Sequence, residues 1–173
     1  MNKKDLFWVI SPMIVVVFLV VSQGWAQPKP GTVAPVITHS FAVEKGRYGN
    51  VLKLYVEADD PSGDMLRIAT VAYQDGYGRH RPDWVYLRPE NQKHFRGYLQ
   101  WNTFGHIDEW TNVLLKVSVL DKAGNESNVV IFPIQFVMEA YRKAQPPAPF
   151  NQGKIQRLGH VFIDLAPNPG KTF

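Results

Sequence analysis

Between residues 112 and 136 the side chains alternate in a way that only an extended chain can use. Val113, Leu115, Val117 and Val119 are separated by Asn112, Leu114, Lys116 and Ser118, so four apolar groups share one face of a strand. The polar stretch Asp121-Lys122-Ala123-Gly124-Asn125-Glu126-Ser127 follows. Beyond it, Val130, Phe132, Ile134 and Phe136 again fall on a common face. Two sheet-forming runs joined by a short Asp, Gly and Asn segment predict a hairpin. A hairpin with one apolar face must bury that face against another layer, so the chain is committed to packed sheets.

The same period recurs upstream. Leu52, Leu54, Val56 and Ala58 share one face of residues 51–58, while Lys53, Tyr55 and Glu57 share the other, the pattern of a sheet with one buried and one wet side. Further strands are predicted at 36–43, 65–73, 84–87 and 95–101, making seven with the hairpin. No helical period interrupts them, and parallel α/β folds, which need crossover helices, are disfavoured. The expected fold is all-β, a seven-stranded antiparallel sandwich spanning residues 36–137.

The flanks carry different information. Lys3 and Lys4 precede an apolar run over residues 6–21, and Gly24 and Ala26 suit cleavage after Ala26, so residues 1–26 read as a signal peptide. The alternative is an uncleaved membrane anchor, since a spanning helix needs about 20 apolar residues. Either way the remainder is expected outside the cytoplasm: periplasmic or extracellular, or membrane-anchored. With no cysteine in the chain, stability must come from burial without disulfides, which points to a bacterial exported protein. Residues 27–35 read as a linker. Residues 138–173 read as a proline-rich linker followed by a docking segment, because the apolar stretch 155–165 is too short to fold alone. It is expected to add to its own sandwich or, alternatively, to a partner's sheet edge. The formal charge is only +4 and acidic residues are interspersed with basic ones, so nucleic acid is not an expected partner.

Ala58-Asp59-Asp60-Pro61-Ser62-Gly63-Asp64 and, about sixty residues later, Val119-Leu120-Asp121-Lys122-Ala123-Gly124-Asn125-Glu126-Ser127 resemble the turn motifs of bacterial immunoglobulin-like (fibronectin type III-like) β-sandwich modules of exported and surface proteins. The resemblance covers roughly residues 35–137. It implies the sandwich fold and an exported setting, and it carries no particular ligand. The motifs also make sense as turn chemistry: Asp60 and Asp121 accept backbone N–H groups, Pro61 fixes φ, and Gly63 and Gly124 permit the reversal.

Asp59, Asp60 and Asp64, with Glu57 and Asp121, are the residues that would gather at one end of the sandwich to hold a calcium ion. Turn building accounts for them more simply, and no cofactor is expected. His106, Asp108 and Glu109 lie close in sequence without the spacing of a zinc site. No nucleophile elbow or triad arrangement is present, so the protein is not expected to be an enzyme. The aromatic residues are more informative. Residues 75–84 hold Tyr77, Arg79, His80, Arg81 and Trp84, with Tyr86 just beyond, and rings and guanidinium groups on a loop suit a contact surface. Trp101 is expected in the core. Tyr77, between two glycines, is expected to be exposed. The chain therefore reads as an exported, non-enzymatic binding or assembly module of the cell envelope. It would recognise a protein partner through residues 75–84, the C-terminal tail, or both. The alternative is a carbohydrate- or calcium-binding accessory domain of a cell-envelope enzyme system.

Overall fold

The computed structural model describes residues 33–47, 49–103, 111–137 and 144–166. The leader, Phe104, the His106, Asp108 and Glu109 group, and Trp110 lie outside the described residues. Ten strands occur among them: β1 (Val36–Phe41), β2 (Lys45–Gly46), β3 (Val51–Asp59), β4 (Met65–Gln74), β5 (Gly78–Arg79), β6 (Asp83–Tyr86), β7 (His94–Asn102), β8 (Thr111–Asp121), β9 (Val130–Phe136) and β10 (Gln156–Val161). They form a four-stranded sheet in the order β1-β3-β7-β10 and a six-stranded sheet in the order β2-β9-β8-β4-β5, with β6 also paired to β4.

The trios β1-β3-β7 and β9-β8-β4 reproduce the A-B-E and G-F-C order of an immunoglobulin-like sandwich. Two features depart from the seven-stranded antiparallel expectation. There are three further strands, β2, β5 and β10, and two of the pairings are parallel: β10 with β7, and β2 with β9. Parallel neighbours need a long connection. Residues 103–155, which include β8 and β9, separate β7 from β10, and nearly the whole sandwich separates β2 from β9. β10 thus takes the position beside β7 that a fourth antiparallel strand would otherwise fill.

The period-two residues meet between the sheets. Leu54, Val56 and Leu99 from the smaller sheet face Ile68, Leu115, Val117 and Val119 from the larger, all at 0% exposure. Trp101 is equally buried, edge-on to Phe136 with ring centroids 5.7 Å apart, and its indole N–H donates to the Ile163 carbonyl at 2.9 Å. Val161, Ile163 and Leu165 alternate into the same core, while Phe162 between them is exposed. The proline-rich segment before β10 lies across the outer side of the smaller sheet. There Phe150 is buried with its ring 5.4 Å from that of Tyr55. An open groove of about 220 Å³ remains where this segment crosses the sheet edge, lined by Phe41, Val43, Tyr55 and Pro146 among others.

Two glycines let β10 come close. At Gly97 a Cβ would approach Leu158 Cγ at 2.5 Å and the Gln156 carbonyl oxygen at 2.9 Å; at Gly159 it would overlap the Val85 side chain on β6. β10 therefore seals the flank between β7 and β6, joining the two sheets on that side. Overpacking of this kind costs about 1–3 kcal/mol. Gly159→Ala is expected to destabilise the domain by that amount in denaturant melts, and Val85→Ala in the same chain should recover a large part of the loss. Simple additivity of the two substitutions would show that β10 does not seat against Val85.

Candidate functional site

The β4–β5 hairpin turns in three residues. Gly76 and Gly78 sit at φ 77° and 100°, the left-handed region that a side chain resists, and this leaves Tyr77 at the tip with 54% exposure. The Tyr77 ring does not extend freely into solvent. It stacks on His80 with centroids 4.4 Å apart and planes 25° from parallel.

His80 itself turns inward and is buried. Its Nε2 lies 2.9 Å from Gln74 Oε1, and the same oxygen accepts the Ala166 N–H at 3.0 Å. Gln74 Nε2 in turn donates to the Ala166 carbonyl at 2.7 Å. An amide oxygen only accepts, so the His80 Nε2 carries the proton. Burial pushes the His80 pKa below its ordinary value. The exposed turn and the C-terminal segment are thus joined through one buried amide, and Asp83 adds a second tie by accepting the Phe162 N–H at 2.7 Å.

Arg79 and Arg81 are exposed. Trp84 and Tyr86 project from β6 onto the outer face of the six-stranded sheet, 39% and 62% exposed, with the Arg67 guanidinium 4.0 Å above the Trp84 ring. On the same face Lys116 Nζ lies 4.8 Å from the centre of the Tyr73 ring. Leu114 and Ile131 are about half exposed beside them. Of the five binding residues read from the sequence, Tyr77, Arg79, Arg81 and Trp84 therefore reach the surface, and His80 supports Tyr77 from beneath. The sequence reading missed Arg67, Leu114, Lys116 and Ile131. The available signal was their phase, since each occupies an outward position on its strand.

The carboxylates at the far end of β4 are spent on local structure. Asp60 accepts the Ser62 and Asp64 N–H groups, both at 2.9 Å, and Asp121 accepts the Asn125 N–H at 2.8 Å, four residues on instead of the two expected of an Asx-turn. Asp59 faces away towards His94, 2.8 Å distant. Among the described residues no three His, Asp or Glu side chains converge as metal ligands. Asp64 is the least settled of the group. Its Oδ1 is buried without a hydrogen-bond partner, and burial, contact with the Asp60 side chain and the charges of Asp121 and Asp60 raise its pKa against the opposing pull of Lys122. On the outer face of the smaller sheet, buried Glu57 accepts two hydrogen bonds from Arg96, at 2.8 and 2.7 Å, and lies 3.0 Å from His39 Nδ1.

No protein-family model and no curated protein matches the chain. Among solved structures it is similar to the PKD domain of an M14-like peptidase from Thermoplasmatales archaeon SCGC AB-540-F20. The identity is 15%, with 61% of this chain and 97% of that one covered, at a TM-score of 0.39. It is also similar to a CARDB domain from Pyrococcus furiosus solved in complex with di-metal ions, at 10% identity, 62% and 90% coverage and a TM-score of 0.33. The fold assignment rests on strand order, not on these likenesses.

Two consequences can be measured. Because the folded His80 pKa is lowered, the unfolded chain takes up the proton first as pH falls through about 6.5, so His80 withdraws stability on the acid side. His80→Gln, which keeps a donor to Gln74, should lose less melting temperature than the parent between pH 7.5 and 5; equal losses would contradict the buried neutral ring. Asp64 has the opposite sign. An acid with a raised folded pKa is a cost at neutral pH, relieved as pH falls through that value. Asp64→Asn should therefore melt higher than the parent at pH 7, and a lower melting temperature would show that the carboxylate is needed.

Proposed function

We propose that the domain is an exported, non-enzymatic docking module of the cell envelope, periplasmic or extracellular, that recognises a protein partner through residues 75–84 and the sheet surface they adjoin. The observation that carries the reading is the display of Trp84 and Tyr86 on a face that no other described residue covers, with Arg67 laid over Trp84 and the Tyr77 turn further along β4 at its end. Tyr, Trp and Arg are the residue types that concentrate binding energy at protein interfaces. Tyr77 is backed by a stacked ring, so less side-chain freedom is lost when a partner closes over it. The C-terminal segment contributes by holding the turn in place, through the Gln74 amide, and not as a strand offered to another chain.

The test is affinity capture of partners from the native envelope with the full chain, followed by measurement of the isolated pair. Tyr77→Ala combined with Trp84→Ala should weaken binding at least about thirtyfold, a loss of about 2 kcal/mol or more, with the thermal melt largely unchanged. A polysaccharide recovered in place of a protein would support the carbohydrate-binding alternative. Unchanged affinity for a captured protein would remove this surface from the function.

A further inference from the structure

We infer that the partner docks on the outer face of the six-stranded sheet and presents an acidic, partly apolar protein segment to it; this rests on the docking reading above and adds the chemistry of the occupant. Across β6, β4, β8 and β9 the outward positions hold Trp84, Tyr86, Leu114 and Ile131, 39–62% exposed, with the cations Arg67 and Lys116 lying on aromatic rings among them. No outward position on these four strands is a carboxylate. Among the described residues, carboxylates stand only at the margins of this face: Glu126, in the loop after β8, accepts a 2.6 Å hydrogen bond from Ser118, Asp75 in the β4–β5 turn accepts from Asn112 at 2.9 Å, and Glu44 lines the groove beside Leu114 and Gln135. The middle of the face, around Arg67 and Lys116, is therefore apolar and positive, and the surface complementary to it is apolar and negative.

Other occupants fit less well. A second copy placed symmetrically would bring one positive patch against another, because a two-fold contact uses the same patch twice. A second copy offering its other sheet would bring Glu57 and Asp59, but those carboxylates are already engaged by Arg96 and His94. A sugar chain needs hydrogen-bonding groups along the face, and Leu114 and Ile131 supply none. Both suit the apolar side chains of a protein.

The experiment uses the full-length chain in its native envelope, carrying a photo-crosslinking residue at Leu114, Ile131, Tyr77 or, as a control on the opposite sheet, Lys53. The expected adducts arise from Leu114 and Ile131. They map to a partner segment rich in Asp or Glu interspersed with apolar residues, and they fall at least about tenfold in the Arg67→Glu, Lys116→Glu double variant and at high salt, where screening shortens the reach of charge. Melting curves check that the variant folds; Lys116→Glu alone, which leaves the Arg67–Trp84 stack intact, serves if the double variant does not. Adducts to a second copy, to lipid, to polysaccharide or to a basic segment would overturn the inference, as would adducts indifferent to charge reversal. Adducts from Tyr77 alone would overturn it while leaving the docking function standing. Lys53 adducts alone, or none at any position, would overturn both.

Discussion

A buried indole N–H must find an acceptor, since leaving one unpaired costs about 1–3 kcal/mol. Trp101 has no exposure, and its acceptor is the carbonyl of Ile163, 62 residues further along the chain. The core of the sandwich is therefore completed by a segment that lies outside the seven-strand framework. Docking of that segment is what brings Gly159 against Val85 and carries the chain on to Ala166. From there the Gln74 amide passes the constraint to His80 and so to the ring of Tyr77. Core packing and surface display are linked by four consecutive contacts.

The two outer faces are treated differently. On the smaller sheet, Phe150 covers the aromatic row at Tyr55, and the charged groups nearby satisfy one another, with Glu57 held by Arg96 and Asp59 by His94. Nothing within the described residues does the same for the larger sheet. Two of its aromatic rings, Trp84 and Tyr73, carry a guanidinium and an ammonium group respectively. Cations in these positions keep an apolar surface soluble and leave it ready to meet negative charge.

Much of the framework was legible because burial on one face leaves a period-two mark that depends only on near neighbours in sequence. Leu52 to Ala58 and Val113 to Val119 are buried as their alternation predicts, and the turn glycines Gly63 and Gly124 do adopt positive φ. β10 was harder to place. The apolar part of the tail, Val161 to Leu165, falls mostly beyond the hydrogen-bonded ladder, which runs over the less apolar Gln156–Val161 and is fixed by complementarity to Gly97 and Val85. Such complementarity has no local signature. The same holds at the candidate site. The exposure of Tyr77 could be read from its flanking glycines, but the burial of His80 depends on a residue 92 positions from Gln74. Leu114 was placed on the wet side of its strand by its phase, and its significance emerged only beside Ile131 and Trp84 from other strands.

The direction of β4 has a consequence for reach. Residue 33, whose N–H bonds to Ser62, enters beside the turn that precedes β4, whereas Ala166 leaves beside the turn that follows it. Ten strand residues separate those ends, or about 33 Å at about 3.3 Å per residue. The domain thus has polarity along β4, with residue 33 at one end and the Tyr77 turn at the other. The Tyr77 tip stands roughly one domain length from residue 33, a separation set by the backbone of β4.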